Sequence, residues 1–420
     1  MSGHPLPELT NTDPDGELST AVRRHADALY DRVVELRRAI HRRPELANEE
    51  FETARLVAGV LEEAGFEVHR GIAGTGVVGL MSGDHPGPSV MLRAAMDALP
   101  IHESTGLSFA SDHPGVMHAC GHDAHTASLL GASLILGRMR ERLHGTVRLL
   151  FQPAEERVPG GALPMIKAGA LRPIGDFPAA EVAFGQHVQP ELPVGSIGVR
   201  AGMYMASADE LHVTLRGEAG HAAAPHMLRA DVVVAAAQVV TALQSVISRN
   251  CPPGVPSILT IGRLIADGAT NVIPETAQLE GTFRAMNETW RFRAHDLIVR
   301  TIEQTARAFG AEAEVEVRVG YPALHNHEMP TSFVQRAATR YVGSDNVVEL
   351  DPWYAAEDFA WYLQEVPGSF FRLGTGNRAA GIIHPVHSPQ FTIDEEALRV
   401  GSGFMAYLAL AYPTSLPARP

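Results

Sequence analysis

Four apolar segments in the first half of the chain constrain its fold more than any other feature. "GVVGLMSG" (76–83) and "SVMLRAAMDALP" (89–100) are short buried-strand patterns, "HTASLLGASLILGRMRERL" (125–143) is an apolar-faced helix, and "GTVRLLFQPAEE" (145–156) is a second buried strand running into a loop. A parallel strand is covered on both faces and therefore reads as a continuous apolar run, and its return needs a helical crossover. The alternation predicts an α/β class, a mostly parallel sheet with helices on both faces, with chemistry at the carboxyl ends of the strands. Ahead of it, Ser19 to Glu63 has apolar residues at helical spacing, interrupted where Pro44 in "HRRPEL" forces a break.

From about Ala206 the texture changes. "DELHVTLRG", a helix over 228–248, "SILTIGRLIADG", "AQLEGTFRAM", a helix over 289–309 and "EVEVRVGYPAL" follow one another as βαββαβ. Alternating strands with two helices make a compact α+β domain, and the chain then returns to helix, strand and helix up to about Tyr412. At 420 residues the chain exceeds what one simple core accommodates. The expected organisation is a discontinuous domain over 1–203 and 322–420, interrupted by a domain over 204–321.

Charge narrows the partners. The formal net charge is −14, with a single lysine, Lys167, so no basic surface for nucleic acid is expected. No uninterrupted apolar run reaches the ~18 residues of a membrane helix, and the first twenty residues lack the apolar core of a secretory signal. A cytoplasmic protein with no membrane contact is expected. Two cysteines, Cys120 and Cys251, are not expected to pair in a reducing compartment. Cys251, in "NCPPGV", reads as a small loop residue, which leaves Cys120 to be explained.

Cys120 lies in "MHACGHDAHT", two residues before His122 and across a glycine, so both side chains can turn toward one point. Thiolate and imidazole are both ligands of first-row metals. Taken alone, the segment admits two readings: a metal site, or a buried thiol among incidental histidines in a chain that has 20. The metal reading gains from the rest of the chain. Glu155 and Glu156 sit where a buried strand ends, a costly place for paired carboxylates without a cation. His187 follows another apolar run, and His387 lies in "HPVHSPQF".

Eight segments in order, "RAAMDALP", "HACGHDAH", "FQPAEE", "GHAAAPH", "NVIPE", "GTFR", "AAEDFAWY" and "HSPQF", resemble those of the di-metal amidohydrolases that include hippurate hydrolase and the indoleacetyl-amino-acid hydrolases, within the aminoacylase and carboxypeptidase superfamily. The resemblance covers about residues 30 to 412. It implies a zinc-exopeptidase-like fold with an inserted lid and dimerisation domain, and a homodimer or dimer-based tetramer. It also implies two divalent metal ions per subunit, with Cys120 bridging and His122, Glu156, His187 and His387 completing the ligands. Zinc and manganese suit that donor set best, and cobalt and nickel remain open.

The implied activity is hydrolysis of the amide bond of N-acyl amino acids, small molecules, with Glu155 as general base. His221 resembles the histidine that stabilises the oxyanion, often supplied by the partner subunit, and Asn271 and Arg284 resemble the groups that hold the substrate carboxylate. Without that context Arg284 reads as a strand arginine paired at the surface. Asp123, His125 and His226 read as residues that orient loops or ligands, and Met203, Tyr204, Met205, Phe359, Trp361 and Tyr362 as core or acyl-pocket residues. The chain departs from the family pattern at Ala95, where an aspartate is common, while Asp97 is retained. Two other readings are weighed beside the leading one: a dipeptidase or carboxypeptidase of the same superfamily, and an idle homologue that binds ligand without turnover.

Overall fold

The computed structural model describes residues 16–415; the first fifteen residues and the end of the Pro-rich tail, which the sequence reading covers, lie outside the described residues. The chain divides into two compact units, one comprising the chain up to Gly202, His325–Asp351 and the chain from Trp361 onward, the other Met203–Leu324 and Pro352–Ala360.

The first unit is built on an eight-stranded sheet. Its strands are β1 (Glu67–Ile72), β2 (Gly76–Ser82), β3 (His85–Ala95), β4 (His144–Gln152), β5 (Val182–Pro193), β6 (Ile197–Val199), β7 (Val347–Glu349) and β8 (Gly368–Gly376), in the order β1-β2-β4-β3-β5-β8-β6-β7. The centre, β4-β3-β5-β8, is parallel, as is the β6–β7 edge pair. The strand pairs β1–β2, β2–β4 and β6–β8 are antiparallel. The sheet is thus mostly parallel, as the apolar runs predict, with the antiparallel pairs outside its centre; β1 and β2 are joined by a tight turn through Ala73 and Gly74, both at positive φ.

Helix α1 (Glu17–Arg42) ends just before Pro44 and α2 (Phe51–Glu63) begins after it. α3 (His122–Arg138) is buried on every side from His122 to Leu136, as its lack of a polar face requires. α4 (Glu328–Val342) and α5 (Ala397–Ser415) are the other long helices of the unit. Leu29, Val33 and Leu36 of α1, Leu129 and Leu130 of α3 and Leu408 of α5 share one core with Val90 and Leu92 of β3. Each such side chain contributes about 1.5–3 kcal/mol by leaving water.

The second unit contains a four-stranded antiparallel sheet in the order Ser257–Ile265, Thr276–Ala285, Asp209–Arg216, Glu312–Val319. Along Asp209–Arg216 burial alternates, with Leu211, Val213 and Leu215 facing inward. Two helices, Val232–Ser245 and Glu288–Ala308, share a core with that face through Val239, Leu243, Ile298 and Ile302. Each starts at a side-chain cap: Asp231 accepts from the N–H groups of Val233 and Val234, and Asn287 from that of Trp290. Pro352–Ala360 joins this unit because Trp353 N–H donates to the Tyr204 carbonyl (2.9 Å) and Ala206 N–H to the Trp353 carbonyl (3.2 Å).

Among the described residues one stretch, Val232–Asn250, is long and apolar enough on average to cross a membrane, where no apolar run of that length is expected. Gln238, Thr241 and Gln244 interrupt it. Its buried residues, Val232, Ala235, Ala236, Val239 and Leu243, recur at three- and four-residue spacing and cover the sheet of its own unit.

Candidate metal centre

The site forms at the carboxyl ends of β3, β4 and β5, where loops leave the sheet and backbone direction is free to vary. Cys120 and His122 flank Gly121, which caps α3 at φ 81°. A Cβ there would stand 2.5 Å from Val188 Cγ2, so both the left-handed backbone and the space demand glycine. His187 lies within β5, opposite Arg372 of β8. Glu155 and Glu156 follow β4 in a turn entered through Ala154, itself left-handed at φ 53°. His387 is another left-handed non-glycine residue (φ 66°), and its backbone N–H donates to the carbonyl of Ala119 (2.8 Å), tying its loop to the residue before Cys120.

The structure brings all six of these side chains together. The donor atoms of Cys120, His122 and His187 lie within 4.8 Å of one another, and so do those of Cys120, Glu156 and His387. Cys120 belongs to both trios. Its Sγ is 3.4 Å from His187 Nε2. Glu156 Oε1 is 3.4 Å from His387 Nε2 and 3.9 Å from His122 Nε2, and Glu155 Oε2 is 3.9 Å from His122 Nε2.

The ring protons are fixed by partners outside the cluster. His122 Nδ1 donates to the Asp97 carbonyl (2.8 Å), and His187 Nδ1 to the Val188 carbonyl (2.7 Å). A carbonyl can only accept, so in each neutral ring the lone pair is on Nε2, the atom turned toward the cluster. His122 Nε2 and Glu156 Oε1 are both shielded from solvent and have no hydrogen-bond partner. Two orphaned polar atoms beside a thiol and two further imidazoles are what a cation would satisfy in place of a proton, so the donor set fits a metal. Burial disfavours charge on His122, but the hydrogen bond and charge of Asp97 outweigh it and lift the imidazole to about 9, making it a strongly basic ligand. Burial, then the Arg372 charge, drives His187 well below the usual range, so that ring is neutral.

Two residues behind the cluster orient it, and a third, Asp123, anchors the first turn of α3. Asp97 receives His122 Nδ1–H and, on Oδ2, the backbone N–H of Glu156 (2.9 Å). His125 Nε2 accepts from the N–H of Val188 (2.9 Å), fixing the stretch of β5 that carries His187. Asp123 binds Arg37 Nε (2.9 Å) and His41 Nδ1 (2.8 Å). Burial would raise the Asp123 carboxyl, yet Arg37 and His41 together hold it far below the usual carboxylate range. Sequence reading gives Arg37 and His41 no role, because their partner is more than eighty residues away. Ala95, fully buried, ends β3 without supplying any polar side-chain atom.

His221, Asn271 and Arg284 are carried by the second unit. There His221 pairs with Val272 in a short antiparallel ladder, and Ala222 N–H donates to the Asn271 carbonyl (3.0 Å), so the "GHAAAPH" and "NVIPE" segments lie side by side. His221 Nδ1 accepts from Ala223 N–H (3.0 Å), which places the proton of the neutral ring on Nε2. Arg284 is half-buried on Thr276–Ala285, its Nε donating to Thr282 Oγ1 (3.3 Å). Tyr204, Met205, Phe359 and Tyr362 are buried.

The sequence profile of peptidase family M20/M25/M40 matches residues 91–411. The chain belongs to this family of hydrolases. It is 40% identical to N-acetyl-L-cysteine deacetylase of Bacillus subtilis over 90% of this chain and 87% of that protein. It is 38% identical to thermostable carboxypeptidase 1 of Saccharolobus solfataricus over 91% of this chain and 96% of that one. Among solved structures it is similar to the Bacillus subtilis YXEP protein, a dinuclear metal-binding peptidase of family M20, with a TM-score of 0.79, 36% identity, and coverage of 93% of this chain and all of that one. The fold and the family expected from the ordered motifs are therefore those of the protein.

Proposed function

We propose that the chain hydrolyses the amide bond of N-acyl amino acids, hippurate-like, N-acetyl or other acyl conjugates, releasing a carboxylic acid and a free amino acid. The observation that carries this reading is the pair of donor trios sharing Cys120, with a carboxylate, Glu155, beside them. Cys120, His122, Glu156, His187 and His387 would hold two divalent cations, zinc or manganese by donor type, with cobalt and nickel as further candidates. Such ions, when bound, polarise a carbonyl and acidify a water.

The work of the chain's own groups follows. Glu155 takes a proton from the attacking water and returns it to the departing nitrogen, as a carboxylate held near the centre but outside the five ligands can. His221, with its proton on Nε2, donates to the developing oxyanion. Asn271 and Arg284 hold the carboxylate of the amino acid, which a planar guanidinium grips through both oxygens. The second unit serves as lid and dimerisation domain: its edge strand Ser257–Ile265 exposes Ile258, Leu264 and Ile265, fitting a homodimer or dimer-based tetramer. Neither cysteine is in a disulfide, which suits the cytoplasm.

The relative named as a carboxypeptidase favours one alternative, cleavage of peptides by the same chemistry. The discriminating experiment strips the enzyme of metal, refills it separately with zinc, manganese, cobalt and nickel, and compares turnover of N-acetyl and N-benzoyl amino acids with that of dipeptides. Faster turnover of dipeptides with every metal would replace the proposal by the alternative; stoichiometric binding without turnover would remove both.

A further inference from the structure

Glu50 is fully buried, yet it belongs to the loop between α1 and α2 and appears in none of the motifs that mark the site. Its Oε1 accepts the backbone N–H of Ala154 (2.9 Å) and that of Asn48 (2.9 Å), and its Oε2 accepts the hydroxyl of Thr75. Thr75 is itself only 4% exposed. Ala154 is the residue immediately before Glu155 and Glu156 and adopts a left-handed backbone, which a residue with a Cβ holds only where its surroundings enforce it. Two amides further on, Glu156 N–H is taken by Asp97 Oδ2 (2.9 Å). The backbone just ahead is hemmed in as well: a Cβ on Gly161 would stand 1.8 Å from the Pro153 carbonyl oxygen.

We infer that Glu50 is a positioning residue for the Glu155–Glu156 turn: with Asp97 it forms a pair of buried carboxylates that grip the backbone amides on either side of Glu155 and so fix where both working carboxylates point. The inference deepens the proposed function and rests on the reading of Glu156 as a ligand and Glu155 as the proton carrier. A carboxylate suits the task because it accepts several N–H and O–H donors at once and contributes none of its own. A purely structural tie would stabilise the α1–α2 loop without changing the site; a positioning residue changes metal affinity and turnover ahead of stability.

The test compares Glu50→Ala, Glu50→Gln and Thr75→Val in the full-length chain, measuring zinc affinity by chelator competition, hydrogen exchange over residues 153–157, kcat and KM, and the unfolding midpoint. Glu50→Ala is expected to weaken zinc binding about tenfold or more, to lower kcat by roughly 10–100-fold with KM within about threefold, and to speed exchange at Ala154. Glu50→Gln keeps an oxygen for the Ala154 N–H and is expected to rescue zinc affinity to within about threefold of the unaltered protein. A folded Glu50→Ala protein with unaltered zinc affinity and exchange overturns the inference. If Glu50→Ala does not fold, Thr75→Val, which removes only the hydroxyl on Oε2, decides: faster exchange and a measurable loss of zinc affinity support it, unaltered values sink it. Should the unaltered enzyme leave N-acyl amino acids intact, the proposed substrate fails, while zinc affinity and exchange still judge Glu50.

Discussion

Asp97 grips His122 twice, through its carbonyl oxygen at 2.8 Å and its Oδ1 at 3.2 Å, both directed at the same ring nitrogen. Its other carboxylate oxygen takes the backbone N–H of Glu156, so one side chain orients two of the five expected ligands. Burial works against the Asp97 charge, but the His122 hydrogen bond and charge and the Glu156 amide hold its carboxyl below the usual range. In Asp97→Asn one of the two oxygens becomes an NH2 group facing an N–H donor, turning an attraction into a repulsion. Metal affinity is expected to fall by about 10–100-fold, read by chelator competition. Unchanged affinity would show that His122 and Glu156 hold their places without Asp97.

Glu155→Gln keeps the shape of the side chain and removes its ability to carry a proton. With the five proposed ligands intact, metal analysis should find the same metal content as in the unaltered protein, while kcat falls by about 10²–10⁴-fold. A loss smaller than about tenfold would assign the proton to another group.

The parts of the fold legible in the sequence are those with local signatures. The runs at 89–95 and 145–152 are apolar because β3 and β4 are covered on both sides, and Pro44 marks the gap between α1 and α2. β1 has no such signature: its six residues are exposed or half-buried, so nothing in them specifies antiparallel pairing with β2. The site divides the same way. Cys120, His122, Glu156, His187 and His387, the residues proposed to hold metal, lie in motifs within or after apolar runs or in a His- and Pro-rich loop, where chemistry-bearing residues stand out. Glu50 does not, because nothing in "NEEF" separates a fully buried acid from its exposed neighbour Glu49. The tie from Asp97 to Glu156 spans 59 residues and ends on a backbone amide, which no residue type announces.

In the second unit, buried Asp209 binds Arg291 Nε (2.8 Å), His295 Nε2 (2.8 Å) and the Gly320 N–H (3.1 Å). Burial would raise its carboxyl, but the hydrogen bonds and charges of Arg291 and His295 depress it below the ordinary 3.8. A depressed carboxyl contributes stability above the unfolded value and loses it as pH falls through the folded one. Asp209→Asn removes the carboxylate shared by Arg291 and His295, leaves Arg291 with only Glu288 (2.9 Å) and the Gly320 carbonyl, and should cost about 1–3 kcal/mol at pH 7. The difference from the unaltered protein should shrink as the pH drops below about 4. Urea unfolding followed by tryptophan fluorescence checks this, since Trp290 is buried in the same unit; a difference independent of pH would mean that the carboxylate charge is not what stabilises the network.

Arg284 offers the sharpest test of substrate class. Its guanidinium is half-buried on the strand Thr276–Ala285, and burial lowers its pKa against the opposing charge of Asp209. Arg284→Met keeps an unbranched apolar stem, removes the buried charge and should leave stability unchanged or improved. If Arg284 grips the substrate carboxylate, KM for N-acetyl amino acids rises by roughly 10–100-fold, the equivalent of about 1.5–3 kcal/mol for a hydrogen bond to a charged group, with kcat little altered. The same substitution should then have no effect on the corresponding methyl esters, which carry no charge to grip. Arg284→Lys restores the charge without the planar fork and should recover only part of the loss. Equal penalties on the free acid and its ester would show that Arg284 does not read the carboxylate.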